Sequence, residues 1–196
     1  MNPLPEQVIL VDDAGQPIGT APKATVHHAH TPLHLAFSVF LFDDQGRALF
    51  QQRALHKPTW PGVWSNACCG HPLPGESFEA AAHRRLAYEL GITARIELTL
   101  ALPHFRYRAQ WAELWENEIC PVFIGRYAGP VAPNPAEVAA TRWVDWHLFA
   151  DACIDTQLPH LGEFADYSPW SRWEAADLIA QNSDRLLELT SSPQLA

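Results

Sequence analysis

Two stretches of this chain close an apolar run on a pair of aspartates and a nearby glycine: "EQVILVDDAGQPIG" (6–19) and "LHLAFSVFLFDDQGRALFQQRA" (33–54). Aspartate followed by glycine reverses a strand, because glycine accepts the positive φ that a tight turn demands. The first stretch therefore reads as a strand and its hairpin turn at Asp13-Ala14-Gly15. The second repeats that grammar with an aromatic strand, a turn at Asp43 to Gly46 and a return strand. Hairpins this early commit the chain to a β-sheet, and the remaining elements must pack on it.

"ESFEAAAHRRLAYELG" is the clearest helix: Phe78, Ala82, Leu86 and Leu90 line one face at i+4 steps, and Gly91 supplies the stop. "ENEICPVFIGRY" reads as a strand with its turn at Ala128-Gly129-Pro130. "PNPAEVAATRWVDWHLFADAC" reads as a loop, a strand at Thr141 to Val144 and a short helix. From Pro169 an amphipathic helix runs toward a frayed tail, "SSPQLA". Strands and helices alternate irregularly, without repeats or a low-complexity linker. The expectation is one α+β domain over 1–196 with a mixed sheet, its core at about 32–175 and its tail at 190–196.

A net charge of -9 excludes the broad basic surface that nucleic acid or anionic lipid requires. No apolar run approaches the ~18 residues of a membrane span, and "MNPLPEQVILVDD" lacks the basic start of a signal peptide. Four cysteines are too few for a disulfide scaffold, and none forms a C-x-x-C pair. Free thiols in a reducing cytoplasm are the expectation.

The chemistry concentrates around "SNACCGHP" (65–72). Gly70, Glu76, Arg84, Glu89 and Gly91 fall at the spacing of the Nudix box, a loop-helix-loop whose glutamates hold divalent metal against a diphosphate. Two of its carboxylate positions are Arg85 and Tyr88 here, so a box built for hydrolysis is impaired and a diphosphate grip rests on Glu89. On a strand, Glu116 and Glu118 project from one face, and Cys69 and His71 share the same spacing. With His27 and His34 of "HHAHTPLH" they make an N/O-rich ligand set suited to manganese, zinc or magnesium.

Taken in order, "LHLAFSVFLF", "RALHKPTWPGVWSNACCGHP", "FRYRA", "ENEICPVF" and "SPW" resemble the type 1 isopentenyl-diphosphate isomerases, enzymes of the Nudix fold, over about 8–173. The resemblance implies a Nudix-like mixed sheet flanked by helices, with additional N-terminal strands and a C-terminal helix. It implies a metal held by His27, His34, His71, Glu116 and Glu118, and a magnesium on the substrate diphosphate held by Glu89 beside the Cys69 carbonyl. Cys69, Glu118 and Tyr107 would be catalytic, Trp170 would lie over the cationic intermediate, and Lys23, Arg53, Lys57 and Arg85 would hold the diphosphate.

Shifting that double bond passes through a tertiary carbocation. The site therefore needs an acid and a base on opposite faces of a flat C5 unit, a dry cavity and an aromatic face. Glu118 with Tyr107 is expected to deliver the proton, and Cys69 to take one from C2. The chemistry is redox-neutral and needs no flavin. The expected partner is a small isoprenoid diphosphate, with no nucleic acid and no membrane, and the chain is a monomer or homodimer.

Blander readings stand beside these. Single histidines are usually surface groups, Glu116 and Glu118 alone suit a solvated strand face, and Arg84 and Tyr88 suit helix packing and solvent charge. Cys68 reads as a small core residue, and Cys120 and Cys153 as small buried hydrophobes. The rival functions are a Nudix pyrophosphohydrolase, which would want the missing glutamates, and a phosphate-binding module, which would have no use for Cys69. The segment 149–166 is a candidate lid.

Overall fold

The computed structural model describes residues 6–154 and 162–190. The middle of the candidate lid, 155–161, and almost all of the frayed tail lie outside them. A first hairpin joins β1 (Gln7–Val11) to β2 (Pro17–Pro22), and a one-turn helix α1 (Lys23–Val26) follows. The aromatic run then divides into β3 (His34–Leu35) and β4 (Phe37–Phe42), and β5 (Arg47–Arg53) returns beyond the Asp43–Gly46 turn. Next come β6 (Trp64–Asn66), β7 (Cys68–Gly70), α2 (Phe78–Leu90), β8 (Leu98–Leu102) and β9 (Arg106–Trp111). The chain continues through β10 (Leu114–Ile119), β11 (Val122–Arg126), β12 (Val138–Asp145), α3 (Trp146–Ile154) and α4 (Pro169–Thr190).

The strands form two sheets, ordered β2-β1-β3-β10-β9 and β12-β5-β4-β11-β8, with β6 added on β5 and β7 on β4. Two chain segments pass from one sheet into the other. β3 continues into β4 through Ala36, and β10 into β11 through Cys120-Pro121, and the two run parallel across the seam. Backbone bonds from Ala36 N–H to the Ile119 carbonyl (2.9 Å) and from Ser38 N–H to the Pro121 carbonyl (3.1 Å) stitch it. The reading of 116–127 as one strand is thus refined to two. Proline has no N–H for a ladder, so pairing breaks where the segment changes sheets.

The second sheet is covered on both faces, which is why β4 reads "FSVFLF" without polar alternation. Phe40 and Phe42 pack with Phe50, Trp146 and Phe149 beneath α3 and α4. Phe37, Val39 and Leu41 pack with Leu86 and Leu90 of α2. α2 begins at Ser77, whose hydroxyl accepts from Ala80 N–H, and ends at Gly91 in the left-handed conformation, φ 66°. Among the described residues, no helix is long and apolar enough to cross a membrane.

Candidate active site

At the seam, β10 places Glu118 between two cross-strand neighbours, Tyr107 on β9 and His34 on β3. That register, rather than any local motif, brings a carboxylate, a phenol and an imidazole together. Glu116 stands one period earlier on the same face, and both glutamates are buried instead of solvated. The loop carrying His27 is clamped onto β10: the Thr31 hydroxyl meets the Trp115 carbonyl (2.6 Å), and Asn117 Nδ2 donates to the Thr31 carbonyl (3.1 Å). His71 follows β7, and Arg84 of α2 holds its carbonyl at 3.1 Å.

Donor atoms of His27, His34, His71 and Glu118 all lie within 4.8 Å of one another. Two ligands on opposite sides of a transition-metal ion are about 4.2 Å apart, so one cation can reach the whole group with small adjustments. His34 Nδ1 donates to the Pro32 carbonyl (2.9 Å), which leaves its Nε2 as the free lone pair. The Nε2 atoms of His27 and His34 are buried without a hydrogen bond, although they lie 2.9 Å from Glu116 Oε2 and 3.4 Å from Glu118 Oε1 respectively. Donors gathered so closely, with only His71 Nε2 and Glu118 Oε1 joined by a hydrogen bond (3.1 Å), fit a divalent cation. Glu116 flanks the group through His27.

Burial opposes a charge on Glu118, but the imidazoles of His34 and His71 against it outweigh burial and hold the carboxyl well below the usual range. Burial drives His71 down to about 4 against the pull of Glu118. His34 is buried too, yet Glu118 raises it. Burial, then the charges of Glu118 and Glu116, push the Tyr107 phenol well above its ordinary value. Tyr107 therefore stays a donor, and its Oη lies 2.7 Å from Glu118 Oε2.

Cys69 pairs in register with Ser38 of β4, and their Sγ and Oγ atoms are 3.4 Å apart. Burial, with the Glu174 carboxyl behind it, pushes the Cys69 thiol up to about 12 against hydrogen bonds from Ser38 and Ser65. Trp170 spans the two sides of the site. Its ring stacks on Tyr107 at 5.8 Å, and its Nε1 donates to Ser65 Oγ (3.1 Å), which lies 3.6 Å from Cys69 Sγ. Cys68 is fully buried, as is Cys120, whereas Cys153 is only partly buried.

Next to this pocket lies a chain of ion pairs. Lys23 meets Glu6 at 2.7 Å and Lys57 meets Glu137 at 2.7 Å. Arg85 bridges them, with Nε on Glu89 at 2.8 Å, Nη2 on Glu137 at 3.2 Å and Nη1 on Glu6 at 3.8 Å. Three of the four expected diphosphate cations are therefore brought together. Arg53 instead donates to the Thr59 carbonyl (3.3 and 3.2 Å). Glu89 is buried on α2, between Arg85 and Gln51 Nε2 (2.7 Å).

The sequence reading passed over several participants. Arg84 is more than solvent charge, since its Nε and Nη2 grip Glu76 at 2.7 Å while Nη2 also holds the His71 carbonyl. Glu137, Ser38, Asn66 and Glu174 carry no motif, and only their register and burial reveal them.

A family model for the NUDIX domain matches residues 32–184. The protein named Isopentenyl-diphosphate Delta-isomerase in Saccharopolyspora erythraea is 51% identical over 89% of this chain and 86% of its own length. Its namesake in Paenarthrobacter aurescens is 49% identical over 91% and 93%. Among solved structures, a MutT protein from Methanosarcina mazei aligns with a TM-score of 0.60 at 18% identity, over 77% of this chain and 96% of that one. The Nudix hydrolase RenU from M. smegmatis aligns with a TM-score of 0.56 at 17% identity, over 90% and 94%. At such identities the structural likeness speaks for the fold alone.

Proposed function

The chain belongs to the isopentenyl-diphosphate Delta-isomerase family, built on a NUDIX domain, and from that premise we propose how its own residues carry the reaction. The enzyme interconverts isopentenyl diphosphate and dimethylallyl diphosphate in isoprenoid biosynthesis. The Tyr107–Glu118 pair faces one side of the C5 unit and delivers a proton to its terminal alkene carbon. Cys69 faces the other and, as its thiolate, takes a proton from C2 to become the thiol. Because the isomerisation is reversible, each group is acid in one direction and base in the other.

One observation carries this reading: the Trp170 indole stacks on Tyr107 at 5.8 Å while its Nε1 reaches toward the Cys69 side through Ser65. An aromatic face between two proton-transfer groups is what a tertiary carbocation without a neighbouring heteroatom requires. The indole is itself buried, so water that would quench the cation is kept out. Tyr107, fixed on Glu118 by its hydrogen bond, keeps a proton at that carboxylate's edge.

His27, His34, His71 and Glu118, with Glu116 beside them, would hold the first divalent cation, manganese, zinc or magnesium, which would fix Glu118 in place and favour its ionised form. Glu89 and the Cys69 carbonyl offer the oxygen donors that suit a diphosphate-bound magnesium. Lys23, Lys57 and Arg85 bind the diphosphate, with Arg53 reaching it from the Thr59 loop. No flavin takes part. We place the enzyme in the cytoplasm, where its four free cysteines stay reduced, and read it as a single catalytic domain. Oligomeric state is left as monomer or homodimer.

Glu89→Gln tests the diphosphate arm directly. Substrate affinity titrated at several magnesium concentrations is expected to lose its magnesium dependence. Unchanged affinity at low magnesium would overturn the assignment.

A further inference from the structure

Asn66, the last residue of β6, is fully buried and is used by no step described so far. Its side-chain Nδ2 donates to the Val39 carbonyl (3.0 Å) and the Cys68 carbonyl (3.2 Å). Carbonyl oxygens only accept, so this end of the amide must be nitrogen, and the orientation of Oδ1 follows from chemistry alone. Oδ1 faces the thiol, and Cys69 Sγ donates to it at 3.1 Å.

The amide is braced from every side. Ser65 and Ser171 hydroxyls both donate to the same Oδ1, each at 2.9 Å, and the Asn66 N–H donates to Ser171 Oγ at 3.1 Å. Ser171 is tied in turn to Ser168 at 2.6 Å. A residue that binds two backbone carbonyls and three donors while wholly buried has no freedom to turn. Its acceptor is a fixed point against which the thiol is oriented.

We propose that Asn66 is a positioning residue for Cys69: its fixed amide oxygen holds the sulfur toward C2 of the bound C5 unit and accepts the S–H of the thiol that forms when the Cys69 thiolate takes the C2 proton. The inference rests on the assignment of Cys69 to the C2 face. A thiol otherwise rotates about its Cα–Cβ and Cβ–S bonds, and only some of its orientations bring the sulfur to C2. Small misplacements of a reacting group are costly even when binding is intact. Among the described residues Asn66 reaches Tyr107 only through Ser65 and Trp170 and makes no hydrogen bond to Glu118, so its direct effect falls on the C2 step.

That separation gives a readout that a merely structural role would not move. Isopentenyl diphosphate is incubated with metal-loaded protein in heavy water, and proton NMR follows deuterium entry at C2 and at C4 separately. In Asn66→Ala, labelling at C2 is expected to fall on the order of tenfold to a hundredfold while labelling at C4 persists. Asn66→Ser, which keeps a hydroxyl for the backbone carbonyls but is too short to reach the thiol, is expected to behave alike and carries the test if the alanine variant does not fold. Asn66→Asp retains an oxygen toward Cys69 and is expected to recover part of the C2 labelling.

Wild-type C2 labelling in a folded alanine or serine variant would overturn the inference. So would equal losses at C2 and C4 in all three variants with metal content unchanged, since that pattern marks a structural role. Cys69→Ala serves as the reference. If it labels C2 as fast as wild type, the assignment of the C2 face falls and the inference falls with it. If it loses C2 labelling while the Asn66 variants do not, only the inference falls.

Discussion

Cys69 and Glu118 come from strands nearly fifty residues apart and are drawn toward one seam only because β7 pairs with β4 and β10 with β3. Cys69→Ala removes a sulfur that touches no member of the histidine group, so metal content and folding are expected to be retained. Turnover is expected to fall by about a thousandfold or more, as when one member of an acid–base pair is deleted; wild-type rates would refute its role. Glu118→Gln is expected to lose turnover together with metal, because the same oxygens serve both. Glu76 offers a pH test. Its hydrogen bond from Arg84 outweighs burial and holds the carboxyl below its ordinary value of 4.5. A depressed carboxylate adds stability above that value and loses it as pH falls through the folded value. Glu76→Gln is therefore expected to flatten the acid limb of a thermal-stability profile below about pH 4.5, with little change at neutral pH. At this scale the grouping of His27, His34, His71 and Glu118 was legible, because residue type and spacing pointed to it before the structure brought them together. Arg84, Asn66 and Glu174 were not, since a buried polar residue announces itself only by the partners that folding brings to it.

The helix α2 shows how far local chemistry reaches. Its i+4 face and the Gly91 stop were readable, and Gly91 is indeed left-handed; the Ser77 cap emerges only in the structure. A Cβ at position 91 would lie 2.9 Å from the Ala132 carbonyl oxygen as well as adopting the disfavoured φ. Gly91→Ala is therefore expected to cost on the order of 1–3 kcal/mol, checked by denaturant unfolding, while Ser77→Ala is expected to cost about 1 kcal/mol. Equal stability of Gly91→Ala and wild type would contradict this account of the stop. The long strands were harder to read. An apolar run looks the same whether it stays in one sheet or crosses into another, so the breaks at Ala36 and at Cys120-Pro121 were not visible, and the site sits at those breaks. The expected strand at Thr141 to Val144 also proved longer, Val138–Asp145, because pairing with β5 extends it beyond its own apolar core.

At the scale of the molecule, the first sheet supplies His34, Glu116, Glu118 and Tyr107, while the second supplies Ser38 and Cys69 and leads into His71. A cation held across the seam should therefore couple binding to stability. In metal-stripped protein, the unfolding midpoint is expected to rise with added manganese or zinc, since a ligand bound only to the folded state stabilises it by mass action. His34→Ala is expected to lose most of that rise. A midpoint indifferent to metal in the wild type would contradict the seam site. The sheet, its flanking helices and the order of the site segments were legible from blocks of sequence spread along the chain. The closing of Lys23, Lys57 and Arg85 around Glu6, Glu89 and Glu137 was not, because every pair except Arg85–Glu89, one helical turn apart, joins residues distant in sequence. The most direct test of the whole account is proton NMR of isopentenyl diphosphate incubated with the metal-loaded protein and magnesium in heavy water. Dimethylallyl methyl signals should appear with deuterium in the product. Released phosphate, or substrate left unchanged by protein shown to carry metal, would contradict it.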